Sequence, residues 1–197
     1  RRQFDEVRDF YLRIPNDDLL KGFRARANRP APGADMGGLY LIHGSFGQLL
    51  SGFARMYAAT GNPACREKAV ALMHGWAECI RSDGYPFPQG YAGLMPYDYD
   101  KLDGGLVDIN RYCGDKDALT HLSRITDWAA KNLAGVEKHI NAKNANWFAL
   151  NGEWYTLSEN LHRAYMATGD PKYRSLAERF EYRDYWALIA KKADILH

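Results

Sequence analysis

Carboxylates standing close to aromatic rings are the residues in this sequence with the most direct chemistry. Tyr97, Asp98, Tyr99, Asp100 and Lys101 form one such group, and Glu153, Trp154, Tyr155, Ser158 and Glu159 form another. Two carboxylates held roughly 5–9.5 Å apart can flank a glycosidic bond, one as acid and the other as base or nucleophile. Rings beside carboxylates, amides and cations suit a sugar, whose CH faces lie on the ring while its hydroxyls take hydrogen bonds. Asp100 and Glu159 are therefore the candidate acid and base, and Tyr99, Lys101, Glu153, Trp154 and Tyr155 the candidate substrate contacts. His43 and Gln48, with Tyr40 and Phe46 beside them, add a third group from earlier in the chain.

The same residues have plainer roles open to them. An Asp or Glu at a helix start caps it or complements its dipole. Aromatic rings between helices fill a hydrophobic collar, and Lys101 can simply pair with Asp98 or Asp100. His74, His121 and His162 fall within helical stretches and are assigned no role.

Other chemistries find no foothold. There is no Gly-x-Ser-x-Gly, no His-Glu-x-x-His and no glycine-rich phosphate loop; Gly104-Gly105 precedes a helix but lacks the rest of that pattern. Lys plus Arg number 26 against 24 Asp plus Glu, a net charge of +2, so no nucleic-acid partner is expected. No apolar run approaches the roughly 18 residues that span a bilayer, and residues 1–20 lack the apolar centre of a signal peptide. The chain reads as soluble, in either a bacterial cytoplasmic or an exported setting. Cys65, Cys79 and Cys113 show no metal or disulfide spacing, so free thiols and no resident cofactor or metal are expected.

What positions the chemical groups is a repeat. Leu49 to Pro63 is echoed by Leu157 to Pro171, with a weaker middle copy over Leu106 to Asp115. Aligned on Gly61, Gly114 and Gly169, the copies stand 53 and 55 residues apart, a period that signals stacked supersecondary units. Eight residues before each glycine stand Phe53, Leu106 and Leu161; four after it Cys65, Ala118 and Tyr173; eight after it Ala69, Leu122 and Ala177; eleven after it Leu72, Ile125 and Phe180. Steps of three and four are those of an amphipathic helix. Each unit reads as a helix ending at the glycine, a tight turn, and a second helix running back through Trp76, Trp128 or Tyr185. Helices are also expected over about 4–13 and 17–24, and from Asp184 to His197.

Long Gly-, Pro- and aromatic-rich connections separate the units over 25–45, 81–99 and 134–156. If short turns follow the first helix of every pair, these linkers must emerge together at the opposite rim. The fold class expected is all-α, an α/α toroid of about three helical hairpins plus an N-terminal helix, forming one domain over 1–197. Six such pairs would need on the order of 330 residues, so the chain is expected to be an incomplete portion of a larger catalytic barrel. Its first residue is Arg1, which agrees with a processed or truncated piece. The open flanks of such a piece imply self-association or a missing C-terminal segment.

Leu50-Ser51-Gly52-Phe53-Ala54-Arg55-Met56-Tyr57-Ala58-Ala59-Thr60-Gly61, Tyr99-Asp100-Lys101 with Gly105-Leu106-Val107-Asp108, and Glu153 through Asn160 resemble the amino-terminal half of the β-L-arabinofuranosidase-like enzymes of glycoside hydrolase family 127 and its unclassified relatives. The resemblance covers most of the chain and implies an (α/α)6 barrel acting on an oligosaccharide or glycoside. It also implies a zinc ion, held by a glutamate and cysteines, that activates a cysteine nucleophile, with another glutamate as acid/base. The Glu-x-Cys element and the adjacent cysteine pair of those enzymes do not occur here; Glu78-Cys79 is contiguous. Many relatives read Gly-His before the Leu-Ser helix where this chain reads His43-Gly44, a departure at the position that would carry substrate binding over to His43. The reading is a carbohydrate-active protein of glycoside hydrolase type whose zinc and cysteine motifs are missing from this chain. Two alternatives stand beside it: a noncatalytic helical-repeat domain binding a glycan or protein, and another toroid sugar enzyme, an epimerase or unsaturated-uronide hydrolase.

Overall fold

A computed structural model of the chain describes residues 2–36, 45–87, 95–133, 154–181, 187, 190 and 191. Among these there is no strand. The helices are α1 (Arg2–Arg13), α2 (Asn16–Arg26), α3 (Ser45–Thr60), α4 (Pro63–Ala77), α5 (Met95–Asp108), α6 (Asp117–Asn132), α7 (Leu157–Thr168) and α8 (Pro171–Ala177). A π turn over Ile109–Cys113 prolongs α5, and a 3-10 turn over Trp154–Thr156 leads into α7. None is long and apolar enough to cross a membrane.

The hairpin turns follow from local chemistry. Gly61, Gly114 and Gly169 all adopt left-handed backbone, with φ of 69°, 71° and 71°, where a side chain would be strained. Thr60 and Thr168 each return a hydroxyl to the helix they end, onto the Met56 and Ala164 carbonyls, and accept from the N–H of Asn62 and Asp170. Those two residues then cap the next helix, accepting from the N–H of Ala64 at 3.0 Å and Lys172 at 2.9 Å. In the middle copy Asp115 accepts from the N–H of Asp117 at 2.9 Å.

Every aligned position of the repeat is buried, from Phe53, Leu106 and Leu161 through Leu72, Ile125 and Phe180. Full burial of a side chain of that size contributes roughly 1.5–3 kcal/mol, so the aligned residues are the principal adhesive of the pairs. Their first helices, α3, α5 and α7, lie side by side, with α4, α6 and α8 behind them. Gln48 reaches Tyr97, Thr156 and Asn160 reach Asp100, and nearer the turn glycines Arg55 and Arg163 meet Asp108. Contacts at two matching levels make the three first helices parallel, so their starts share one end and the three glycines the other. The N-terminal helices join through α4: Leu19, Leu20 and Phe23 of α2 are buried, and Lys68 donates to the Ile14 carbonyl at 2.5 Å and to Asn16 at 2.9 Å.

The second linker ends sooner than its composition implied, because Pro96 stands in the first turn of α5, a place proline tolerates; Asp100 is thus in the second turn of that helix. Gly104-Gly105 lies inside α5 and not before a helix. A Cβ on Gly47 would come within 3.0 Å of the Lys101 backbone, and one on Gly105 within 3.0 Å of the Gly47 carbonyl, so these glycines let α3 and α5 cross backbone to backbone. The linker interiors at 37–44, 88–94 and 134–153, and most of the stretch from Asp184 to His197, lie outside the described residues.

Candidate functional site

Six residues before each turn glycine stand Arg55, Asp108 and Arg163. The shared register of the three parallel helices brings them into one row, with the carboxylate between the two guanidinium groups. Asp108 is fully buried and accepts from Arg55 Nε at 2.6 Å, from Ser51 Oγ at 2.5 Å, and from Arg163 Nη2. The Arg55 side chain keeps 57% of its surface exposed, so its remaining donors face solvent while Asp108 fixes its orientation.

The row continues toward the helix starts. Arg163 Nη1 donates to Asn160 Oδ1 at 2.7 Å, and Asn160 Nδ2 donates to Asp100 Oδ1 at 2.7 Å. The other oxygen of Asp100 accepts from Lys101 Nζ at 2.7 Å and Thr156 Oγ1 at 2.8 Å. Lys101 Nζ lies 4.5 Å from the centre of the Tyr97 ring, and the Tyr97 hydroxyl accepts from Gln48 Nε2 at 3.3 Å. One connected polar network therefore runs across α3, α5 and α7. It borders an open cavity of about 310 Å³ lined by Gln48, Ser51, Arg55, Lys101, Asn160 and Arg163. Gly52, Gly104 and Gly105 complete the lining, and a Cβ on Gly52 would stand in open space, so its absence keeps that part of the floor low. Such a surface offers amide, ammonium and guanidinium donors already oriented for an oxygen-rich ligand.

The candidate residues from the sequence divide over this geometry. Gln48 and Lys101 line the cavity. Asp100 sits behind it, fully buried, with both carboxylate oxygens engaged by donors. Glu159 is exposed in the first turn of α7, close enough for its charge to act on Arg55. Tyr99 turns away: it is 0% exposed, and its hydroxyl shares a 2.7 Å hydrogen bond with Thr126 on α6, so no ring face is open to a sugar. Tyr155 is 41% exposed beside the start of α7. Trp154 opens the 3-10 turn, and His43 and Glu153 lie outside the described residues.

Arg55, Asp108, Asn160 and Arg163 were missed. For Arg55, Asp108 and Arg163 the signal was present as the position six before the glycine, but a charged residue there reads as an ordinary polar face until the helices are known to be parallel. Asp103 was also missed. It is fully buried, neither oxygen has a hydrogen-bond partner among the described residues, and desolvation with the nearby Asp100 charge pushes its pKa well above the carboxylate range. It is packed near Tyr99 and Tyr173, whose own pKa values are raised by burial first and by the Asp103 charge second.

The thiols do not supply a zinc-activated nucleophile. Cys65 and Cys113 are buried, Cys79 is half-buried, and desolvation raises all three thiol pKa values, the opposite of what activation requires. Among the described residues no thiol belongs to a group spaced to hold a metal ion.

A family model for the catalytic domain of the GH127 β-L-arabinofuranosidases matches residues 1–197. No curated protein matches the chain. Among solved structures it is similar to a GH127 β-L-arabinofuranosidase from Geobacillus stearothermophilus T6, with a TM-score of 0.57 and 15% identity. That superposition covers 98% of this chain and 32% of the other, so the chain spans about a third of that enzyme's length.

Proposed function

The chain belongs to the GH127 β-L-arabinofuranosidase catalytic-domain family, and from that premise we propose that it forms one wall of a glycoside-binding cleft in a β-L-arabinofuranosidase-type hydrolase. The observation that carries the reading is the single hydrogen-bonded network across α3, α5 and α7 that borders the 310 Å³ cavity.

In this reading Gln48, Arg55 and Lys101 donate to sugar hydroxyls, while Asn160, whose amide already donates to the Asp100 carboxylate and carbonyl, holds the row together. Asp108 and Asp100 are positioning residues: the first fixes Arg55 and Arg163, and the second fixes Lys101 and Asn160. Holding donors in place before the ligand arrives lowers the ordering entropy that binding would otherwise cost. Glu159, solvent-exposed near the row, is the carboxylate suited to exchange a proton with a glycosidic oxygen. Asp100 is not, because a general acid must reach the oxygen it protonates and both of its own are occupied. The residues present do not fit the family's zinc–thiolate group, because all three thiols are buried or half-buried with raised pKa values; bond cleavage requires groups from the rest of the barrel.

The test is calorimetric titration with methyl β-L-arabinofuranoside. The chain is expected to bind it, and Lys101→Ala and Arg55→Ala are each expected to weaken binding about tenfold, near 1.4 kcal/mol. Absence of binding, or unchanged affinity in both variants, contradicts the proposal.

A further inference from the structure

Outside the cleft network, at the junction of the first and second hairpins, α4 brings a histidine against the turn that opens α6. We infer that His74, Asp115 and Asp117, joined by a rotation of the neighbouring His121 side chain, form a binding site for a divalent ion of the zinc type. His74 Nε2 lies 3.3 Å from Asp115 Oδ2, and one ligating atom from each of His74, Asp115 and Asp117 falls within 4.8 Å of the others. Ligands placed tetrahedrally about a zinc ion at about 2.0–2.2 Å stand roughly 3.5 Å apart, so small side-chain rotations close the set.

His121 is the independent sign that something is meant to bind there. It follows Asp117 by four residues on α6, which puts both side chains on one face. Its ring lies 6.1 Å from that of His74, nearly perpendicular to it. Both ring nitrogens are shielded from solvent, and neither has a hydrogen-bond partner among the described residues.

The cluster is also braced. Asp115 Oδ1 accepts from the Asp117 N–H at 2.9 Å while its carbonyl accepts from Asn110 Nδ2 at 3.2 Å, leaving Oδ2 directed at His74. Such outer hydrogen bonds orient metal ligands. Two imidazoles with two carboxylates select zinc, cobalt or nickel over calcium or magnesium, which prefer all-oxygen cages. A bound ion would tie the second helix of the first pair to the second pair, and it would use none of the thiols.

The experiment titrates Zn²⁺ alone into the EDTA-stripped 197-residue chain by calorimetry and follows the thermal midpoint. One saturable equivalent and a higher midpoint are expected, because an ion that binds only the folded state stabilises it by mass action. Asp117→Asn, at an exposed position, and Asp115→Asn, which retains the helix-capping oxygen, should each weaken binding about tenfold or more. His121→Ala should do the same, whereas His162→Ala at a separate His–Glu pair should not. No saturable binding, or affinity unchanged in Asp117→Asn and His121→Ala, overturns the assignment.

Discussion

Asp103 and Asp108 occupy the same helix, are equally buried, and have opposite electrostatic fates. Asp108 receives hydrogen bonds from Arg55, Ser51 and Arg163, whereas Asp103 receives none from the described residues. Removing the Asp108 carboxylate with Asp108→Ala leaves two guanidinium groups facing each other. About 3 kcal/mol of stability should be lost, the low end for a broken buried ion pair because Arg55 is partly solvated; denaturant unfolding reads it. Asp103 predicts a pH dependence. Its folded pKa is raised, so the native state keeps a proton that the unfolded chain releases near pH 3.9. The stability that this proton confers is complete below that value and declines as pH rises toward the folded pKa. Asp103→Asn should therefore gain on the original protein steadily from about pH 4 upward in unfolding curves; a difference constant with pH contradicts a neutral Asp103.

Among the elements, the turns and the crossing of α3 with α5 bear the fold. Asn62→Ala and Asp170→Ala each remove a side-chain cap and should cost about 0.5–2 kcal/mol. Gly47→Ala should cost more, about 1–3 kcal/mol or beyond, because its Cβ meets backbone that can yield only by separating the helices. Thermal unfolding of the three variants ranks them, and a harmless Gly47→Ala would mean the close crossing is not required. The hairpins were legible because each turn is written in contiguous residues, a threonine, a left-handed glycine and an Asn or Asp cap, and because the buried steps recur at fixed offsets. The start of α5 was not legible: Pro96 and the glycines before it have the composition of a loop, and only packing against α3 and α7 distinguishes a helix there. Gly104 and Gly105 misled for a related reason, since a glycine that permits close approach has the same letter as one that ends a helix.

At the scale of the whole molecule, parallel alignment of the three first helices creates the cleft. Register carried this part of the site without announcing it: Arg55, Asp108 and Arg163 share a repeat position, yet nothing local shows that two cations and an anion will meet. Gln48 and Lys101 were found from their neighbourhood of rings and carboxylates, and both line the cavity. Tyr99 and Asp100 were chosen by the same reasoning, but their helical phase sends one toward α6 and the other beneath the network. Residue type and proximity in sequence could not reveal that phase before α5 had a defined start.

The central claim, that this network is a glycoside-binding wall, is tested most directly by amide chemical-shift mapping during titration with methyl β-L-arabinofuranoside. Saturable shifts are expected, concentrated at Gln48, Ser51, Gly52, Arg55, Lys101, Gly104, Gly105, Asn160 and Arg163, with saturation displaced to about tenfold more ligand in Lys101→Ala. Shifts that fail to saturate, or that gather on α1, α2 or the backs of α4 and α6, would contradict it.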